Sequence, residues 1–367
     1  MREDFLIVGA GITGLTIAER LTSIGKTVTI VDKELYIGGN CADRFNEHGI
    51  LIHPFGPHLF HTNSKKVFRY LSQFTDWIPG DYRVKSFNGG KHWSFPINLE
   101  TFEMQYGKLT TPEVMAGWLK AQTPNYGTPN NFVEAVVGKI GWGWYKQFYE
   151  GYTTKMWGCH PEDLDASVGR RIPVRTNRDD RYFDDEYQFM PKQGYSTMFE
   201  NMLGYKDNLK VLLGMDREEW RQMMKLAKHT IFTGAIDEYF NYAWGALPYR
   251  TLRFEHETFP TDLVQPTGIV TYPEFSTSRT RSVEIKHFTK QAHPSTTVVT
   301  EYPEEWAHGR ERLYPVPTPT ARERHGKYAR MARDHKNVTF LGRLGTYRYL
   351  NMDQAVGAAL MTFDRMF

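Results

Sequence analysis

The sequence has little of three things, and each scarcity argues against a class of protein. Cysteine occurs only as Cys41 and Cys159 in 367 residues, so no disulfide framework is expected and a reducing cytoplasm is the expected compartment. No apolar run approaches the ~18 residues of a membrane span, and the short apolar stretch at the N-terminus has no cleavage signature, so neither a span nor a signal peptide is predicted. The net charge is only +3, which favours a local anion site over a nucleic-acid surface.

The N-terminal segment carries a glycine turn of the kind that binds dinucleotides. Four apolar residues, 5–8, predict a buried strand, and residues 15–21 predict a helix. Between them, Gly9 permits a tight turn, Gly11 lets the backbone approach a pyrophosphate, and Gly14 lets helix and strand pack closely. The helix N-terminus would offer free N–H groups to the phosphates.

A second strand and an acid follow this turn in the expected order. Residues 27–31 predict a strand that ends at Asp32, about 20 residues past the motif, where a carboxylate can bind a ribose hydroxyl. Gly38 and Gly39 come shortly afterwards. The alternative is a tight helix–strand turn that binds nothing. The order of strand, helix, second strand and acid favours the dinucleotide.

Helical, β and βα patterns are interleaved along the rest of the chain. They predict an α/β fold in which a discontinuous nucleotide-binding domain carries an inserted helical domain and an antiparallel β-sheet domain. The patterns are a hairpin over 84–96, helices over 111–121, 131–152 and 352–367, strands over 208–213, 230–234 and 337–342, and β alternation over 250–299. We assign 1–78, 192–240 and 328–367 to the nucleotide-binding domain, 98–178 to the helical domain, and 79–97, 179–191 and 241–327 to the sheet domain.

Two histidines, His58 and His61, follow the Gly56-Pro57 pair. A metal site would need a third ligand at a compatible spacing, and none is evident, so no metal is predicted. A rigid Gly-Pro turn that holds the backbone against a cofactor is the favoured interpretation.

Three further segments have compositions that suit ligand binding. Residues 151–158 combine two aromatic side chains with a lysine, and Trp157 suits either the core or the wall of a ligand slot. Residues 169–183 are the densest basic stretch; they predict a loop whose arginines suit phosphate oxygens, although a solvated charged face is the alternative. Residues 342–353 join a strand to a helix through two glycines, two tyrosines and two arginines, and the helix N-terminus there could face an anionic flavin edge.

Together these motifs resemble the bacterial UDP-galactopyranose mutases over almost the whole chain. The run Gly-Arg-Leu-Gly-Thr-Tyr-Arg-Tyr-Leu at 342–350 is specific to that family. The resemblance also covers the glycine turn and residues 37–40, 56–62, 95–99, 151–158, 172–175, 190–195 and 249–252.

The resemblance implies a flavoenzyme and a reaction. The fold would be a Rossmann-type, glutathione-reductase-like FAD-binding domain with the two inserted domains, usually as a homodimer. The enzyme would interconvert the pyranose and furanose forms of UDP-galactose through a covalent adduct between the sugar and N5 of reduced flavin, and would supply galactofuranose for surface glycans. NAD(P)H or another reductant would reduce the flavin. No nucleic acid and no metal are implied.

The resemblance also assigns residues to roles. The catalytic set is Arg175, Arg281, Tyr314, Tyr349 and His61, with the two arginines on the diphosphate and the Arg175 loop as a mobile lid. Substrate binding falls to Phe148, Tyr152, Trp157, Tyr182, Arg250, Thr271, Asn351 and Tyr82. FAD binding falls to Gly9, Gly11, Gly14, Asp32, Gly39, Asn40, His58, His61, Arg343, Tyr349 and Met352.

Three positions depart from the family's pattern. Asn351 stands where the family has Asp, Thr271 where Asn is common, and Tyr82 where a small polar residue is usual. Because these positions are expected near the sugar, the hexose is less well defined than the reaction. Three alternatives stay open: the same reaction on a related nucleotide hexose, a flavin oxidoreductase of the amine-oxidase type, and a sugar-nucleotide-binding protein without catalysis.

Overall fold

The computed structural model describes residues 3–107, 109–170 and 173–367. Its strands are β1 Phe5–Val8, β2 Val28–Val31, β3 Arg44–Phe45, β4 Leu51–Ile52, β5 Phe60–Thr62, β6 Trp77–Pro79, β7 Val84–Asn88, β8 Lys91–Phe95, β9 Tyr187–Pro191, β10 Leu209–Leu212, β11 His229–Phe232, β12 Tyr249–Phe259, β13 Ile269–Thr271, β14 Arg281–Val283, β15 Thr296–Glu305, β16 Tyr314–Pro315 and β17 Val338–Phe340.

The helices of the described residues are α1 Ile12–Ser23, α2 Lys65–Leu71, α3 Leu99–Tyr106, α4 Pro112–Gln122, α5 Phe132–Trp144, α6 Gly151–Trp157, α7 Ala166–Arg170, α8 Tyr195–Leu203, α9 Arg217–Leu226, α10 Ile236–Tyr239, α11 Lys286–Thr289, α12 Pro319–Asp334, α13 Gly342–Gly345 and α14 Met352–Met366. Within the described ranges, none of these is long and apolar enough to cross a bilayer.

A parallel sheet forms the nucleotide-binding part, as the sequence predicts. Its strand order is β10-β2-β1-β11-β17, and every pairing is parallel. Strand β1 is apolar along its whole length, and β2 is buried along its whole length although it includes Thr29, because helices cover parallel sheets on both faces. The predicted strands over 208–213, 230–234 and 337–342 are confirmed as β10, β11 and β17. The chain therefore returns to one sheet from three distant segments.

A second sheet of seven strands has the order β16-β12-β15-β14-β13-β7-β8. It is antiparallel except where β7 runs parallel to β13. The predicted hairpin over 84–96 is confirmed as β7–β8, but it is not separate from the 250–299 region. The hairpin comes far earlier in the chain than β13, so no short turn joins β7 to β13. The two strands can therefore pair in parallel.

A third, small sheet joins segments that the sequence placed apart. Strand β9 pairs with β5 and with β6, so Tyr187–Pro191 lies with strands of the first segment. The sequence grouped that strand with the sheet domain, and the proposed domain boundaries themselves stay a prediction.

The helix predicted over 131–152 is interrupted. Gly141 has a φ of +78° inside α5, and a β-carbon there would lie 2.9 Å from the main-chain oxygen of Gln122. A π-helical turn follows over Tyr145–Glu150 before α6 begins. Such turns widen the helix locally and are frequent at functional sites. Here the turn carries Phe148 towards the interior, where it is buried.

Candidate active site

The glycine turn leaves open space where a pyrophosphate would lie. Gly9 has a φ of +111°, and a β-carbon on Gly14 would overlap the main-chain oxygen of Gly9. Gly11 differs from both, because a β-carbon on it would meet nothing within 4 Å. Gly38 forms a parallel bridge with Gly11, and a β-carbon on Gly39 would lie 3.2 Å from the Gly11 Cα. Two glycine segments thus bound a cradle that fits a dinucleotide phosphate.

Asp32 lies at the carboxyl end of β2, beside this cradle. Its carboxylate accepts hydrogen bonds from the main-chain N–H of Ala10 at 2.5 Å and of Glu34 at 2.9 Å. Burial raises the pKa of Asp32 above its usual value, while these two hydrogen bonds oppose the shift. The acid is therefore held in a fixed orientation at the place where the fingerprint needs a ribose acceptor.

A cavity of about 550 Å³ lies where the helical and sheet segments meet the nucleotide-binding part. It is large enough for a flavin ring or a nucleotide sugar. It brings together most of the side chains that the sequence selected: Asn40, His58, His61, Phe148, Tyr152, Trp157, Tyr182, Thr271, Arg281, Tyr314, Arg343, Tyr349, Asn351 and Met352 all line it.

The Gly-Pro turn fixes His58 in its neutral form beside the buried His53. His58 Nδ1 lies 2.9 Å from Gly56 O, and the His58 main-chain N–H donates to His53 Nδ1 at 3.1 Å. Burial lowers the pKa of both histidines to about 3. The turn therefore presents a rigid, uncharged wall to the cavity. Within the described residues, no group of three His, Cys, Asp or Glu side chains could hold a metal ion.

His61 has a different environment from His58. Its Nδ1 lies 2.8 Å from Asp185 Oδ2, and its ring stacks on Phe183 with the centroids 3.6 Å apart. A carboxylate on Nδ1 fixes the tautomer and leaves Nε2 for another partner. His61 and both of its partners line the cavity.

Arg281 is held by a buried carboxylate on one side and a tyrosine on the other. Its Nε is ion-paired with Glu301, which is fully buried, and its Nη2 lies 3.3 Å from Tyr314 Oη. Burial opposes the charge of Arg281, but the facing Glu301 outweighs it and raises the pKa of the guanidinium well above its ordinary value. The second oxygen of Glu301 is buried without a hydrogen-bond partner among the described atoms. Arg281 thus remains a fixed cation in the cavity wall.

Arg343 and two tyrosines form the adjoining part of the wall. The rings of Tyr314 and Tyr349 stack with their centroids 5.9 Å apart and an interplanar angle of 10°. The Arg343 guanidinium lies 4.8 Å from the Tyr349 ring centroid, and it donates to the main-chain oxygens of Leu313 and Leu350 at 2.9 and 2.6 Å. Cations and phenol hydroxyls are the donors that a diphosphate or an anionic flavin edge requires.

Arg175 does not line the cavity in this structure. Its guanidinium bonds to Asp184 Oδ1 at 2.5 Å and to the main-chain oxygens of Asp179 and Arg181 at 3.1 and 2.6 Å. Its side chain is only 9% exposed. The loop predicted over 169–183 is confirmed for residues 173–183, which carry no helix or strand. Residues 169 and 170 instead belong to α7, and Arg171 and Ile172 lie outside the described residues.

Arg250 and Tyr82 also lie outside the cavity lining. Arg250 is buried and donates to the main-chain oxygens of Met156 and Lys155 at 3.0 and 3.2 Å. It therefore holds the C-terminal end of α6 in place. Tyr82 is fully buried, and its hydroxyl donates to Phe189 O at 2.7 Å. The departure at Tyr82 therefore affects packing behind the site, whereas Asn351 and Thr271 face the cavity.

Several polar groups of the site were not found from the sequence. Glu301, Asp184 and Asp185 each pair with a predicted site residue, yet each comes from a segment without a recognisable motif. Asp353 also lines the cavity; it accepts from Thr62 Oγ1 at 3.0 Å, and its other oxygen is buried without a partner among the described atoms. The one sequence signal for these groups was the Asp184-Asp185 pair, because two acids directly after the basic stretch 169–183 can form ion pairs with it.

Comparisons with known proteins identify the family of this chain. The family model described as UDP-galactopyranose mutase matches residues 147–349, and a model of an NAD(P)-binding Rossmann-like domain matches residues 7–74. A probable UDP-galactopyranose mutase of Klebsiella pneumoniae is 35% identical over 99% of this chain and 94% of its own. A dTDP-fucopyranose mutase of Escherichia coli is 34% identical over 97% of this chain and 96% of its own.

Solved structures place the fold in the same group. A reduced UDP-galactopyranose mutase superposes with a TM-score of 0.80 at 16% identity, covering 100% of this chain and 94% of that one. A putative protoporphyrinogen oxidase from Exiguobacterium superposes with a TM-score of 0.68 at 12% identity, covering 99% of this chain and 98% of that one. Mutases and oxidases thus share this fold, so the fold does not distinguish the two classes. The sequence relatives, which are mutases, do. The chain belongs to the UDP-galactopyranose mutase family and is a flavin-dependent mutase, an isomerase of nucleotide sugars.

Proposed function

We propose that this enzyme interconverts UDP-galactopyranose and UDP-galactofuranose, with FAD in its reduced form as the cofactor. One observation carries the proposal: a single cavity unites the Arg281–Tyr314–Tyr349 donors with Arg343 and His61, next to a glycine cradle that fits a dinucleotide. When bound, reduced flavin supplies a nucleophile for the anomeric carbon, the covalent route that the family resemblance implies.

The residues of this chain would act on the leaving diphosphate. As the bond from the anomeric carbon to UDP breaks, negative charge grows on the diphosphate oxygens. Arg281 is already fixed by Glu301 and Tyr314, so it needs no reorganisation to meet that charge. Tyr349 and Tyr182 line the same cavity and would donate hydroxyls to the same group.

Arg175 would join the diphosphate by exchanging partners. At present Asp184 and two main-chain oxygens satisfy its guanidinium. A diphosphate carries more negative charge than one carboxylate, so it can displace Asp184 when the loop closes. The apolar wall, with Phe148, Tyr152 and Trp157, would hold the uracil and the sugar. The product would serve the synthesis of surface glycans. The enzyme would act in the cytoplasm as a homodimer, and NAD(P)H or another reductant would reduce its flavin.

A second candidate substrate has a specific observation in its favour. The Escherichia coli dTDP-fucopyranose mutase is nearly as similar to this chain as the Klebsiella protein, and two of the departures from the family pattern, Thr271 and Asn351, face the cavity. The same reaction on a 6-deoxyhexose nucleotide would need fewer polar contacts to the sugar.

The deciding experiment uses purified, dithionite-reduced protein. It is incubated separately with UDP-galactofuranose and with dTDP-fucofuranose, and the pyranose products are separated by chromatography. We expect faster turnover of UDP-galactofuranose and no turnover by oxidised protein. Turnover of the fucose nucleotide alone would show that the substrate is the fucose nucleotide. In a parallel assay without dithionite and with NAD(P)H, consumption of oxygen or NAD(P)H in step with product would show an oxidoreductase instead of a mutase.

A further inference from the structure

Lys155 belongs to the 151–158 motif, but its side chain does not line the cavity. It lies on α6 between Tyr152 and Trp157, whose side chains do line it. Its ammonium nitrogen lies 2.7–2.9 Å from four main-chain oxygens of a single loop: those of Tyr272, Glu274, Thr277 and Arg279.

The chemistry of this contact requires a cation rather than a simple donor. An ammonium group has three hydrogens, so four converging oxygens are held by charge and dipole as well as by hydrogen bonds. Burial lowers the pKa of Lys155 to about 8, Arg279 adds to the shift, and Glu274 opposes it. The amine therefore keeps its proton at neutral pH.

The loop that Lys155 holds connects two parts of the cavity wall. Residues 272–279 run from β13 to β14; Thr271 precedes the loop, Arg281 follows it, and both line the cavity. Helix α6 also touches this loop directly. A β-carbon on Gly151 would overlap the main-chain oxygen of Pro273, so the helix approaches the loop as closely as a glycine allows.

The other end of α6 is fixed independently. Arg250, on β12, donates to the main-chain oxygens of Lys155 and Met156 at the end of the helix. A β-carbon on Gly158 would lie 2.5 Å from Arg250 Nη1, so that glycine makes room for the guanidinium. With the helix anchored in this way, the Lys155 side chain determines where the loop lies relative to α6.

We propose that Lys155 is a positioning residue for the substrate site. Its ammonium fixes the 272–279 loop against α6, and this sets the distance between Arg281 on one wall and Tyr152 and Trp157 on the other. The inference rests on the proposed function in one respect, namely that Arg281 binds the diphosphate of the substrate.

The test removes the tethered cation and then supplies a free one. Lys155→Ala is purified with its flavin, and UDP is the probe. We expect UDP affinity to fall by roughly tenfold or more, the effect of losing hydrogen bonds to a charged group, with KM rising more than kcat falls. Ammonium and potassium ions are bound by carbonyl oxygens, so either chloride salt should restore affinity, whereas lithium chloride at the same ionic strength should not.

Lys139→Ala is the matched control. Lys139 also lies on a helix of the helical segment, but it is exposed, and its Nζ meets one main-chain oxygen, that of Arg170 at 3.2 Å. The variant loses the same charge and should bind UDP as the wild type does. Loss of affinity that no cation restores, or unchanged affinity in Lys155→Ala, would overturn the proposal.

Two further measurements keep the outcome clear. Should Lys155→Ala fail to fold, Lys155→Arg retains the charge but presents a planar group to four converging oxygens; binding of UDP equal to the wild type would then contradict the inference. Should the wild type not bind UDP at all, the proposed function fails. The role of Lys155 in holding the loop is then tested by amide hydrogen exchange of residues 272–279. The exchange must increase in Lys155→Ala and decrease again when potassium is added.

Discussion

The glycine cradle and the cavity wall are built in opposite ways. The cradle comes from one short stretch of chain, in which Gly9, Gly11 and Gly14 are followed by Asp32 and Gly38. The wall is assembled from side chains of α6, β14, β16 and the loops around residues 183 and 349. In the cradle the backbone makes the site, whereas in the wall buried ion pairs hold side chains in place. Changes to the cradle should therefore abolish cofactor binding, and changes to the wall should be graded.

The largest expected effect is in the cradle. Gly11→Val places a branched side chain in the space where the pyrophosphate would lie, so we expect folded apoprotein, measured as a loss of flavin absorbance in the purified protein. Gly117→Val is the control, because a β-carbon on Gly117 also meets nothing within 4 Å and the residue lies on α4. Full flavin content in Gly11→Val would show that the cradle does not bind the cofactor.

The next effect is in the wall, at Arg281. Losing a charge-assisted contact costs about 1.5–3 kcal/mol, or roughly 10- to 150-fold in turnover, and we expect Arg281→Ala to lose that much with a normal flavin spectrum. The variant also leaves Glu301 buried without its partner, which typically destabilises a protein by about 3–5 kcal/mol.

A double variant separates these two effects. In Arg281→Ala/Glu301→Ala the unpaired charge is gone, so stability to denaturant should recover in part while turnover does not. Arg253→Ala is the control, since Arg253 forms exposed pairs with Glu255 and Glu304 on the same sheet. Equal turnover in Arg281→Ala and Arg253→Ala would remove Arg281 from the diphosphate site.

A smaller effect is expected at Asp184, which competes with the diphosphate for Arg175. The Asp184 side chain is 66% exposed, so its pair with Arg175 is worth less than about 1 kcal/mol. Asp184→Asn should therefore lower KM by at most about fivefold and leave kcat unchanged. Asp81→Asn, which weakens an exposed pair with Arg83, should change neither; a rise in KM for Asp184→Asn would show that Asp184 aids binding.

The sequence predicted the cradle well because its determinants are local. Gly9 and Gly14 are needed by the backbone within a few residues, and the strand β1 that precedes them is a continuous apolar run. For the wall, composition singled out the segments 151–158, 169–183 and 342–353, but the roles of individual side chains came only from the family resemblance. The sequence did not predict what holds them: Glu301 faces Arg281 across the sheet, and the oxygens around Lys155 are main-chain atoms, which any residue type supplies.

The smallest effect is expected at Asn351, the position that most directly concerns the sugar. Asn351 faces the cavity and caps the N-terminus of α14, where its main-chain N–H donates to Gln354 Oε1 at 3.0 Å. Asn and Asp have the same shape, but Asn carries no charge and adds an amide donor. If a carboxylate at this position only accepts a hydrogen bond, Asn351→Asp should change kcat/KM for UDP-galactofuranose by less than about threefold, and a negative charge at a helix N-terminus should not destabilise the fold. The variant and the wild type are compared on UDP-galactose and on its 6-deoxy and N-acetyl analogues. A wild type that ignores UDP-galactose but converts an analogue, with the preference reversed in Asn351→Asp, would make this amide the determinant of the hexose and leave the reaction unchanged.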